Sequence, residues 1–130
     1  MMNAVISILE NDASVQSVIG QNASGSKYKI YPVVAPETER APYCVCRIFS
    51  KEEGAKDCGY IWTFEVSIYA TSYDTVTTIN EYVIDALKSE SPGVINGDDF
   101  GWALFDNEVD DFEKDHDLYV KRTTFRVHGL

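Results

Sequence analysis

Nine carboxylates fall between positions 98 and 117: Asp98, Asp99, Asp106, Glu108, Asp110, Asp111, Glu113, Asp115 and Asp117. Asp106, Glu108 and Asp110 alternate as the hard oxygen ligands of a calcium loop do. Such a loop needs glycine at its sixth position and glutamate at its twelfth, and here those are Asp111 and Asp117. A carboxylate-pair hydrolase needs two acids held apart in a cleft with separated pKa values. Among so many acids no pair stands out. Residues 106–117 therefore read as a solvated surface loop whose charges repel one another, carried mainly by Asp106, Glu108, Asp110, Asp111, Glu113 and Asp115. A calcium-binding module or metal-dependent enzyme using this loop is the alternative.

Other reactive side chains form no recognisable centre. Cys44 and Cys46 have one residue between them, too few for the usual zinc knuckle, and Cys58 follows a further loop. They are expected to be free thiols, those at 44 and 46 behaving as small core hydrophobes. His116 and His128 have no serine or cysteine motif beside them, and the eight glycines are scattered rather than gathered into a phosphate loop. Lys121, Arg122 and Arg126 are expected to pair with neighbouring acids. No catalytic residue, cofactor or metal ligand is assigned.

The 130 residues carry a net charge of −10, which argues against wrapping nucleic acid, because that needs a basic stripe to displace counterions. It is compatible with standing close to DNA without sticking to it. No apolar run approaches the roughly 20 residues of a membrane span. The start, "MMNAVISILENDAS", is a poor signal peptide, so folding in the cytoplasm is expected.

The elements that would position these residues follow from periodicity. Met2, Val5, Ile6 and Leu9 have helical spacing, Asp12 caps a second turn, and Gly20 stops it. Residues 28–34 and 43–49 read as strands around a loop at 35–42, and 50–59 as a charged connection. Segment 60–70 is the clearest strand, with Trp62, Phe64, Val66, Ile68 and Ala70 on one face and Thr63, Glu65 and Ser67 on a wet one. Helix 72–90, capped by Ser72, presents Val76, Ile79, Val83, Ala86 and Leu87 to cover that apolar face. Strands at 100–106 and 118–128 close the chain. In the last, Leu118 and Val120 share a face with Arg122 and Arg126, an irregularity that a bulge or change of partner would explain. The expectation is one α+β domain over 1–130. It has a mostly antiparallel sheet of four to five strands, one main helix on one face and a short N-terminal helical segment.

Four pieces in order carry a resemblance: "AVISILENDASVQSVIG", "KIYPVVAPETERAPYCVCRIFS", "FEVSIYATSYDTVTTINEYVIDAL" and "DLYVKRTTFRV". Together they span nearly the whole chain. The sequence resembles the tail-completion, or head–tail joining (tail terminator), proteins of long-tailed bacteriophages and prophages. The resemblance implies a non-enzymatic virion protein made in the bacterial cytoplasm. It also implies a ring, often a hexamer, where the tail tube meets the head connector, with DNA passing nearby without specific binding. It directs attention to the segment from Tyr31 to Tyr43, which holds Pro32, Pro36 and Pro42. A proline-stiffened loop costs less entropy to hold in a contact geometry, so these five residues are the candidate ring or tube interface. The acidic stretch would then face the bore. A small adaptor that accepts a partner strand on an exposed sheet edge is a further alternative.

Overall fold

The computed structural model describes residues 1–54 and 59–129. In chain order the elements are α1 (Met2–Glu10), α2 (Ala13–Ile19), β1 (Ile30–Pro32), β2 (Tyr43–Glu53), β3 (Tyr60–Ala70), α3 (Tyr73–Ser89), β4 (Gly93–Ile95), β5 (Asp98–Phe100), β6 (Ala103–Glu113) and β7 (Leu118–Gly129). The main sheet has the order β1-β2-β3-β7-β6, and β4 and β5 form a separate hairpin. The β1–β2 pair is parallel and the other three pairs of the main sheet are antiparallel. The fold is α+β, as the periodicity implies.

Period-two alternation decides the packing. Phe64, Val66, Ile68 and Ala70 of β3 are fully buried, together with Cys44 and Cys46 of β2 and Phe125 and Val127 of β7. The α3 stripe of Val76, Ile79, Val83, Ala86 and Leu87 is buried in the same cluster, and α1 and α2 add Val5, Leu9, Val15 and Ile19. All three helices thus serve one sheet face. The Ser72 side chain accepts the Thr75 N–H and caps α3, and the Asp12 side chain does the same for α2 from Val15. Asp98 serves α1 from a distance: its carboxylate accepts the Ala4 N–H at 3.1 Å and pairs with the N-terminal ammonium at 2.9 Å. Burial opposes its charge, yet those bonds hold the Asp98 carboxyl below the usual range.

Several expectations change. β2 runs on to Glu53, so part of the expected 50–59 connection is strand, and Cys58 lies outside the described residues. The expected 100–106 strand divides: Phe100 ends β5, and β6 starts at Ala103. Between them Gly101 passes so close to β7 that a Cβ would stand 2.4 Å from the His128 carbonyl oxygen. The acidic stretch is not a loop. Most of it is β6, and the turn comes only after Glu113.

The bulge expected in the last strand lies in β6 beside it and in β2, which pairs with β3. The β3–β7 pairing is unbroken from Tyr60↔Gly129 to Ala70↔Tyr119, while the register shifts fall in β2 between Ile48 and Ser50 and in β6 between Phe105 and Asn107. The face expected to be wet is partly covered too, with Glu65 and Ser67 buried. Glu65 accepts from the Ser67 hydroxyl at 2.9 Å, and the chain between β1 and β2 lines one groove together with Ser67. Because those strands are parallel, the connection must return along the sheet, and the helices already occupy the other face. No helix among the described residues is long and apolar enough to cross a membrane.

Candidate functional site

Two regions of the sheet have features that packing alone does not require. The first is the crossover at 33–42. The β1 strand ends at Pro32, which has no amide proton to continue a ladder. The next residue, Val33, donates its N–H to the Cys46 carbonyl at 2.8 Å, and Val34 donates back to Pro32 O at 2.7 Å. That tight turn holds Val33 at φ 65°. A β-branched residue rarely adopts this region, because its branch crowds the backbone there. The result is that Val33 and Val34 stand 64 % and 72 % exposed.

The loop is tied down from beneath. The Tyr31 hydroxyl donates to the Glu39 carboxylate, Arg40 N–H donates to the other Glu39 oxygen at 3.0 Å, and Lys29 Nζ reaches Arg40 O at 3.1 Å. Burial, and then the Glu39 carboxylate, push the Tyr31 phenol up to about 12, so it stays a donor throughout the physiological range. The Ala41–Pro42 bond is cis. Tyr43, entering β2, stacks on Tyr69 at 4.8 Å. A groove of about 570 Å³ lies between the loop and the open sheet face, lined in part by Val34, Pro36, Tyr43, Tyr69, His116 and Arg122. Of the five interface candidates, Pro32 and Pro36 are exposed, Pro42 and Tyr43 are half-buried, and Tyr31 is buried as the loop's anchor. Beside those two prolines, Val33 and Val34 also face solvent, at positions the proline pattern does not mark.

The second region is β6 and its support. Alternate residues of a strand share a face, so Glu108 and Asp110 both turn toward α3. There they meet Lys121, the register partner of Asp110 on β7, which is almost fully buried. Lys121 Nζ donates to Asp110 Oδ1 at 2.6 Å and to the Tyr73 hydroxyl at 3.3 Å, and it lies 3.6 Å from Glu108 Oε1. Tyr73 in turn donates to Asp110 Oδ2 at 2.8 Å. The Asn80 amide donates to Glu108, and its carbonyl accepts from the Thr123 hydroxyl at 2.9 Å. The bonds from Lys121 and Tyr73 hold the Asp110 carboxyl below its usual range. Burial opposes the Lys121 charge, but Asp110 and Tyr73 hold its ammonium above the usual range.

The remaining acids separate. Asp111 lies 3.5 Å from Arg122 on the open face, and Asp106, at the bulge, lies 3.9 Å from Arg126. So the basic residues of β7 pair with the acids of β6. These acids lie in a strand rather than a calcium loop: Glu108 and Asp110 keep its period, while Asp106 sits at the bulge beside Arg126. Among the described residues no three His, Cys, Asp or Glu side chains are grouped to hold a metal ion. A hydrogen bond with Cys46, and then burial, raise the Cys44 thiol well above its usual range. A thiol so held stays protonated and is neither a nucleophile nor a ready ligand.

No protein-family model and no curated protein sequence matches the chain. The fold is similar to that of a chain in the virion of a native gene transfer agent particle, with a TM-score of 0.73 over 97 % of this chain and 91 % of that one. At 18 % identity the similarity shows a shared fold.

Proposed function

We propose that the chain is a structural protein of a phage-type virion. It forms a ring at the head–tail junction that completes or terminates the tail tube and joins it to the head connector. The observation that carries this reading is the near-complete overlap, in both directions, with the fold of a chain from a virion particle. The ordered sequence resemblance to tail-completion proteins supports it independently.

The ring contact is assigned to the 33–42 crossover. Two adjacent valines held outward on a strained, tethered turn lose little entropy when a neighbouring copy covers them. Strain at a solvent-facing β-branched residue is retained where contact needs that geometry. Six copies would carry a formal −60, six times the −10 of one chain. Such a ring repels DNA and lets it pass without adhering. The role is geometric and uses no catalytic centre.

Light scattering at rising protein concentration, with and without tail tubes, tests this. The wild type is expected to form one closed oligomer. Val34→Asp is expected to remain a folded monomer, because a carboxylate would be desolvated in the contact. A wild type that stays monomeric and ignores tail tubes would contradict the ring. A Val34→Asp ring indistinguishable from the wild type would move the contact elsewhere.

A further inference from the structure

The two edges of the main sheet are finished in opposite ways. At one edge β1 has three residues and ends in proline, which blunts it against strand addition. At the other, β6 has eleven residues and pairs, among the described residues, with β7 alone. Trp102, Leu104 and Val109 are 60 %, 58 % and 52 % exposed, and Phe105 and Phe112 are exposed beside them. Beside the start of the strand, on the sheet face toward β7 and β3, a small hollow of about 260 Å³ is lined by Ile61, Trp102, Leu104, Arg126, Val127 and His128, and so suits an apolar side chain rather than a cation. So the unpaired edge carries apolar groups and acids, with a hollow for one apolar side chain on the adjoining sheet face.

We infer that the β6 edge is a docking site for an extended, lysine- or arginine-bearing segment of a different polypeptide, which adds as a sixth strand of the sheet. Three observations choose this occupant. The strand is already rigid: Lys121, Asn80 and Tyr73 hold it from the helix side, and Phe105 and Phe112 pack edge-on against Phe125 and Tyr119. A preformed edge leaves only the incoming segment to be ordered. The charge is complementary to a basic strand: Glu113 stands along it, and Asp106 and Asp111, each in one long pair with Arg126 or Arg122 (3.9 and 3.5 Å), keep side chains 44 % and 57 % exposed for a further cation. And those acids reject a second copy. Homotypic antiparallel registers centred on Glu108, Val109 or Asp110 set carboxylates opposite one another, which is destabilising. Joining β6 to the β1 edge of another copy fails for a separate reason, the shortness and proline of β1. Charges on an edge strand commonly prevent self-association; here they also define what is admitted.

This site stands on the edge itself and is separate from the ring contact at 33–42. The test uses the full chain and a peptide of about eight residues alternating lysine and valine. Its controls are a glutamate–valine peptide and two lysine–valine peptides, one N-methylated at odd and one at even positions. Binding is followed by calorimetry and by amide shifts of residues 103–113. The lysine peptide is expected to bind with shifts confined to β6 and its neighbours. The glutamate peptide, and the peptide N-methylated on its pairing side, are expected to lose binding, while the other methylated peptide keeps it. Replacing Asp106, Asp111 and Glu113 by their amides is expected to weaken binding about tenfold, the sum of three modest pair energies. No binding at millimolar peptide would overturn the inference. So would binding indifferent to N-methylation, which is mere charge adhesion, or a β6-mediated homodimer. Val34→Asp, which removes the proposed ring contact, is expected to bind the peptide normally, so failure of one reading leaves the other measurable.

Discussion

The β1 and β6 edges teach different lessons about how a small sheet meets other molecules. At β1 the backbone is withdrawn: three residues, a proline, and a crossover that folds back over the open face. What it offers is side chains, the two valines at 33 and 34. At β6 the backbone is left available, and a buried lysine with its partners on α3 keeps it in place. The first arrangement suits a contact between preformed surfaces. The second suits a partner that brings its own strand.

Breaking the support of β6 should produce the largest effects. Phe125 is fully buried, stacks on Phe64 at 5.3 Å and meets Phe105 edge-on at 6.2 Å, so it couples the core to the edge. Phe125→Ala is expected to cost about 4 kcal/mol in urea unfolding, within the range for a deleted core ring. A cost below about 1 kcal/mol would mean that the site collapses or is not packed as described. Next comes Asn80→Ala, which strands the fully buried Thr123 hydroxyl and removes the amide donor to Glu108, whose carboxylate keeps Lys121 at 3.6 Å. It is expected to cost about 1–2 kcal/mol and to speed amide exchange in β6 while leaving the β1–β2 pair unchanged. Equal acceleration at both edges would erase the distinction drawn between them.

Acid should act on the same side of the molecule. The folded-state pKa values of Asp110 and Asp98 are lowered, so their contribution is complete above the unfolded value of about 3.9 and is lost as pH falls through the folded values. Lys121 is raised, so its contribution is complete below about 10.5 and is lost at higher pH. Urea midpoints are therefore expected to fall below about pH 4, and Asp110→Asn should flatten that fall. An unchanged slope would remove Asp110 from the account. The smallest effect is expected at the other edge. Pro36→Ala should cost about 0.5 kcal/mol, through the greater freedom of the unfolded chain. A loss of several times that amount would make the loop part of the fold's support rather than a contact surface.

The contrast between the edges was only half legible in the residues. Buried elements announce themselves: β3 falls at the expected 60–70, and α3 starts one residue after its Ser72 cap. The 103–113 strand is exposed on both faces, so it lacks the alternation that burial imposes, and its acids imitate a loop. The bulge at Asp106 breaks what periodicity remains. The β4–β5 hairpin did carry a signal, the Asn96-Gly97 pair, whose φ values of 46° and 87° are those a two-residue hairpin turn needs. The link from Lys121 to Asn80 and Tyr73 joins residues far apart in the chain, and no local pattern encodes it. The prolines marked the crossover correctly. Which of its side chains would face solvent depends on a single positive φ at Val33.

Electron microscopy of the chain mixed with phage tail tubes tests the central claim, a ring-forming junction subunit, most directly. The expected image is a closed ring on one end of the tube, with residues 33–42 between neighbouring copies and β6 directed to a different protein. Tubes with bare ends, or single copies bound without contact to one another, would contradict it.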